Sequence, residues 1–195
     1  MGNLLGGRSV NMYLRLLVVL VRARLRGRCS PLGPNSLPLR VRPGDLDPLG
    51  HMNNGVYFSI FDLGRIELMV RSGIWKRFRE RGWYGVVTAE TGNFRRELRP
   101  FRRFDLHTEV LGWDERHLYF QHRITSGGRL CTSAVVQIRF LSRDGQRITP
   151  EDLLQTLPEA PQQRPELPDW IHDWSKSTYE HARAQEASAP DRARS

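Results

Sequence analysis

Between Gly55 and Arg71 the chain is apolar almost all the way round a helix, and from Trp83 to Phe140 it mostly alternates with a period of two. Val56, Ile60, Leu63 and Val70 fall on one helical stripe, with Tyr57, Phe61 and Leu68 beside it. A helix with so wide an apolar face needs protein on most sides. Leu106, Thr108 and Val110 then oppose His107, Glu109 and Leu111. Leu118, Phe120, His122 and Ile124 oppose Tyr119, Gln121, Arg123 and Thr125, and Leu130 to Phe140 repeats the pattern. Asp114-Glu115 and Ser126-Gly127-Gly128 supply hairpin turns. One curved antiparallel sheet wrapped around one long central helix is the economical packing, an α+β fold.

Around this core the spacing predicts a strand over Pro38–Pro43, a short helix over Ile74–Arg81 and one or two strands between Trp83 and Leu98. A closing helix begins at Thr149-Pro150. The 195 residues suit one domain with extensions: a basic arm and linker over 1–37, the domain over 38–157, and an extension over 158–195. That extension starts with a linker containing Pro158, Pro161, Pro165 and Pro168. A peripheral helix follows over 168–186, docking through Trp170 and Trp174, and disorder is expected from Ala187. Cys29 and Cys131 are too few for a disulfide framework or a four-ligand zinc site.

The net charge of +9 belongs mostly to the arm, because residues 1–44 hold eight Arg and no acid. The remainder carries 22 bases against 21 acids, which argues against a nucleic-acid partner. The apolar run from Met12 to Val21 is broken by Arg15 and is too short to span a bilayer. Three readings of the arm stay open. It is a basic helix lying on an anionic membrane through Tyr13, Leu14, Leu17, Val18 and Val21, a mitochondrial transit peptide, or a helix packed on the body with its arginines in water. A cytoplasmic location, with membrane contact through the arm, is expected ahead of a mitochondrial one.

The densest polar constellation is Asp45-Leu46-Asp47-Pro48-Leu49-Gly50-His51-Met52-Asn53-Asn54, immediately before the long helix. Unbonded N–H groups and the positive end of the helix dipole would polarise a carbonyl oxygen there. A carboxylate nearby is a general base or a nucleophile. The same residues also suit simple capping of helix and loop. A second constellation, Phe94 to Arg103, carries five Arg in the nine residues from Arg95, with Arg96 among them, and suits either a solvated basic hairpin, the reading favoured for any single Arg, or the phosphate groups of a ligand. No metal site, phosphate loop, dinucleotide fingerprint or serine elbow is evident.

Asp45-Leu46-Asp47-Pro48-Leu49-Gly50 resembles the D-x-D-P-x-G signature of the 4-hydroxybenzoyl-CoA thioesterase group of hotdog-fold proteins. His51-Met52-Asn53-Asn54, with Tyr57 beyond, is similar to the H-V-N-N-x-x-Y stretch of acyl-CoA and plant acyl-ACP thioesterases. Glu97–Asp105, Gly112-Trp113-Asp114 and Glu166–Trp170 make the chain similar to the thioesterase-superfamily-member-6-like branch, from about Met12 to about Tyr179. The resemblance implies a hotdog fold and an acyl-thioester hydrolase in which Asp47 is catalytic and Asp45 structural. His51 would orient Asp47 or water, and the amides of Asn54, Gly55 and Val56 would hold the thioester carbonyl. Asn53, Tyr57, Arg95 and Arg96 complete the expected substrate-binding set. The plant motif has Asn where this chain has Leu49, so the aspartate-only arrangement transfers better. No metal or organic cofactor is implied, since coenzyme A enters only with the substrate. The partners are an acyl-CoA or acyl-carrier-protein thioester and a second copy of the chain, in a homodimer or larger assembly with sites at the interface. The opposing expectation is a hotdog protein that binds acyl thioesters, or scaffolds a partner, without turnover.

Overall fold

The structure, a computed structural model, describes residues 4–157 and 164–188, with side chains from Met12 onward. The segment 158–163 of the expected linker and the tail beyond Ser188 lie outside the described residues. The elements run α1 (Leu4–Leu25), β1 (Asn35–Arg40), a 3-10 turn (Pro43–Asp45), α2 (Asn54–Ser72), α3 (Ile74–Arg81) and β2 (Trp83–Phe94). After them come β3 (Arg103–Trp113), β4 (Leu118–Ser126), β5 (Arg129–Ser142), β6 (Arg147–Ile148), α4 (Pro150–Gln155) and α5 (Asp169–Ser188).

All strand pairs are antiparallel, in the order β1-β3-β4-β5-β2, with β6 on β5. α2 lies along the concave face. The Asn53 side chain caps its start, accepting from the Gly55 amide at 2.9 Å, and Gly73 in the left-handed region (φ 81°) ends it. Tyr57, Ile60, Phe61, Leu63 and Leu68 are buried beneath it, each contributing about 1.5–3 kcal/mol of transfer free energy. Close approach depends on Gly64, where an added Cβ would strike Thr108 Oγ1 and sit 2.7 Å from Leu106 Cδ2. This is the sheet around a helix that the alternation implied.

The arm folds as α1 and packs on α2 and on the sheet edge. Its inward stripe is Met12, Arg15, Leu16, Val19 and Ala23, whereas Tyr13, Leu14, Leu17, Val18 and Val21 are exposed. The expectation that all its arginines stay in water is corrected at Arg15, which is buried with Asp45 at 2.5 Å. α1 also caps β1. Arg26 and Arg15 donate to the Ser36 and Arg40 carbonyls, both at 2.9 Å, and Pro38 has no N–H to leave unpaired. β2, at the other edge, has no outer strand partner among the described residues.

Several expectations shift. β1 spans 35–40 rather than 38–43, because Asn35 and Leu37 alternate inward and the 3-10 turn claims Pro43. β2 is a single strand ending at Phe94. Trp170 is 49% exposed, and α5 docks instead through Leu167, Ile171 and Trp174. A polar clamp seals that contact: the Tyr119 hydroxyl donates to Asp114 Oδ2 at 2.5 Å, and Gln137 Nε2 donates to Ser175 Oγ at 2.8 Å. α5 continues as helix to Ser188, past the expected onset of disorder at Ala187.

Candidate active site

The loop before α2 is built by short-range bonds that leave one carboxylate accessible. Leu46 bridges Met52, the Asp47 amide donates to the His51 carbonyl at 2.9 Å, and the Gly50 amide donates to the Asp47 carbonyl at 3.0 Å. Gly50 adopts φ 81°, which only glycine takes without strain. Two further bonds moor the loop, Met52 N–H to the Leu98 carbonyl and Asn53 N–H to the Asp45 carbonyl, both at 2.9 Å. The result brings His51 Nδ1 to 3.1 Å from Asp47 Oδ2, while the Leu49 amide donates to Asp47 Oδ1 at 2.9 Å. The Asp47 side chain is 16% exposed and that of His51 30%.

Asp45, two residues earlier, has a different environment. It is buried, accepts the Arg42 amide at 2.7 Å and is paired with Arg15. Burial pulls the Arg15 guanidinium down, and Asp45 opposes that shift. Arg15 was not anticipated at this loop; the only trace in the sequence is that it interrupts an apolar run.

The remaining expected residues cluster around the α2 N-terminus in distinct states. Asn53 is the cap itself, so its Oδ1 is engaged by Gly55 N–H, and Val56 N–H donates to the Asn53 carbonyl at 2.9 Å. The Asn54 amide makes no hydrogen bond among the described residues, and Asn54 and Gly55 are exposed. Tyr57 is buried edge-on against Phe94 with ring centroids 5.0 Å apart, and burial pushes its phenol up. Arg95 and Arg96 lie on the strand-exit segment that moors the loop through Leu98, their amides donating to the Cys131 carbonyl at 2.8 and 3.1 Å. The Arg96 guanidinium donates to the Leu130 carbonyl at 2.7 Å; that of Arg95 is exposed without a partner among the described residues.

A cavity of about 320 Å³ lies at the other end of α2, walled by Leu68, Phe78, Trp83, Phe120, Phe140 and Leu154, with Asp62 and Arg65 also lining it. Arg65 sits in the core against His122, which was placed on the inward face by alternation. Arg65 Nη1 donates to His122 Nε2 at 3.0 Å, so the ring carries its proton on Nδ1 and donates it to Thr108 Oγ1 at 3.1 Å. Phe61 stacks on the imidazole at 4.8 Å. Complete burial, reinforced by Arg65, holds His122 well below the usual histidine range. Among the described residues no group of three or more His, Cys, Asp or Glu is arranged to hold a metal ion.

A curled antiparallel sheet wrapped around one long helix is the hotdog fold. The family model described as the thioesterase-like superfamily matches residues 41–175, and the chain belongs to that superfamily. Thioester hydrolysis is the activity that this membership carries. Among curated relatives, Protein THEM6 of Xenopus laevis is 29% identical over 168 residues, covering 84% of this chain and 78% of that protein. A Saccharomyces cerevisiae protein described as a probable thioesterase is 27% identical over 125 residues, 62% of this chain and 53% of that protein. Among solved structures, a mutant 4-hydroxybenzoyl CoA thioesterase complexed with 4-hydroxybenzoyl CoA superposes with a TM-score of 0.56 at 19% identity. It covers 62% of this chain and 96% of that one, a likeness of fold.

Proposed function

We propose that the protein hydrolyses acyl-CoA or acyl-carrier-protein thioesters with Asp47 as the reacting carboxylate. The observation that carries this reading is the Asp47–His51 pair, partly exposed beside the α2 N-terminus. The thioester carbonyl points at the unbonded Asn54 amide, where the helix dipole steadies the oxyanion. Asp47 takes a proton from the attacking water, or attacks the carbonyl carbon itself and is released by water. Collapse of the oxyanion breaks the C–S bond, and the thiolate leaves and is protonated. His51 keeps the carboxylate in one orientation. Arg95, exposed beside the loop, meets a phosphate of the carrier.

The active unit is a homodimer joined through β2. That strand runs from the apolar cavity, at Trp83, to the loop end, where Phe94 packs on Tyr57. Antiparallel pairing of two β2 edges about a twofold axis sets the cavity of one protomer beside the Asp47 loop of its partner. The alkyl or aryl chain attached to the carbonyl then has an apolar site within reach. The exposed face of α1, flanked by Arg22, Arg24 and Arg28, rests on an anionic membrane surface from the cytoplasmic side. No helix among the described residues is long and apolar enough to cross a membrane.

Thiol release from a panel of acyl-CoAs tests the chemistry. Asp47→Asn keeps the shape and the hydrogen bonds but lowers the rate by about 10²–10⁴ while folding normally. An unchanged rate in that variant removes Asp47 from the mechanism.

A further inference from the structure

Among the described residues, almost every enclosed or half-enclosed arginine has an acceptor. Arg15 has Asp45, Arg65 has Asp62, Arg71 has Asn35 and Arg77 has the Thr156 carbonyl. Arg139 breaks the pattern. It lies on β5 between Ile138 and Phe140, whose side chains face the core, so its own side chain emerges on the convex face, where α5 runs. Its Nε is enclosed and has no hydrogen-bond partner among the described residues.

Arg139 lines a cavity of about 400 Å³ with Arg116, His117, Arg147, Thr149 and Tyr179. Three arginines, Arg116, Arg139 and Arg147, therefore line one concavity, and none of their side chains makes a hydrogen bond or ion pair among the described residues. The single acid on the wall, Glu115, forms no ion pair among the described residues either. Like charges gathered in this way repel one another, and an enclosed donor without an acceptor is costly, so the arrangement gains most from an anion. The planar fork of arginine matches phosphate oxygens two at a time, and the Tyr179 hydroxyl adds a neutral donor.

We propose that this cavity is a binding site for a phosphorylated ligand carrying two or more negative charges. The site stands apart from the Asp47 loop, because the sheet separates its convex face from α2, and it does not depend on the catalytic reading. A diphosphate, the 3′-phosphate of a nucleotide carrier and the headgroup of an anionic lipid all present this chemistry.

Calorimetric titration of the full chain with sodium pyrophosphate, at an ionic strength held constant with sodium chloride, tests the site. Saturable binding is expected in the parent. Arg139→Met and, separately, the exposed Arg147→Gln each weaken it tenfold or more, with unfolding in the absence of ligand unchanged. Arg129→Gln, a surface change elsewhere on β5, leaves it intact. Two further arms identify the source. Coenzyme A binding more tightly than 3′-dephospho-coenzyme A, with the difference lost in Arg139→Met, assigns the site to a nucleotide. Sedimentation with phosphatidate vesicles that is lost in the same variant assigns it to a lipid headgroup. Pyrophosphate binding that is absent, or equally strong in both variants, overturns the proposal.

Discussion

Two aspartates in one tripeptide do different work because their surroundings differ. Asp45 is enclosed with a guanidinium, and Asp47 faces outward with an imidazole at 3.1 Å. Asp47→Asn should abolish most turnover and move stability by only a few tenths of a kcal/mol, since asparagine caps and bonds as well as aspartate. His51→Ala should lower turnover less, because the imidazole only orients the carboxylate. Measuring rate and urea midpoint together on both variants separates chemistry from folding. An equal loss of rate in the two would make the pair, rather than Asp47, the catalytic unit. The pattern of two acids around Leu46 was legible in the sequence. Which of them is buried was not, because that depends on an arginine thirty residues away.

The helices are fixed by a few contacts whose removal has a definite cost. α1 is tied to the loop by Arg15–Asp45, a pair removed from water on both sides. Arg15→Met leaves the Asp45 charge buried without that cation and should destabilise by about 3–5 kcal/mol in urea unfolding. Adding Asp45→Asn should recover part of that loss. α2 meets the sheet at Gly64, so Gly64→Ala should cost about 1–3 kcal/mol by overpacking against Leu106 and Thr108, despite alanine's better helix propensity. A midpoint equal to the parent's would show that α2 can shift. The contact of α2 with β4 is also sensitive to acid. His122 is neutral in the folded protein, whereas an unfolded histidine binds a proton near pH 6.5. Stability should therefore fall as pH drops below about 6.5, by up to about 1.4 kcal/mol per pH unit, until the folded group itself titrates. His122→Gln should flatten this slope; an identical slope in parent and variant would assign it to other groups.

At the scale of the whole molecule the two sheet edges are treated differently. β1 is covered by α1, and its carbonyls are taken by Arg26 and Arg15, while β2 presents twelve residues with Tyr84, Val87 and Phe94 exposed. An open apolar edge of that length is a pairing surface. Light scattering should find a dimer, and Val87→Lys should shift it toward monomer and lower turnover although Asp47 is intact. A stable monomer with full activity would place the whole site within one protomer.

The sequence by itself determined the central helix, the three long alternating strands that end at Phe140, their turns, and the polar block that precedes the helix. Each of these is written in neighbours a few residues apart, through side-chain period and capping chemistry. Tertiary structure decided the rest. Arg65, Glu67 and Arg15 are buried although charge alone would send them to the surface, because Asp62, Arg26 with Asn35, and Asp45 meet them there. Trp170 points to solvent and Ile171 is buried because contact with Tyr119 and Val135 on the sheet, rather than residue size, selects the inward face of α5. Only the folded sheet brings Arg116, Arg139 and Arg147 to one cavity, since antiparallel pairing sets the turn before β4 beside the middle of β5 and the start of β6.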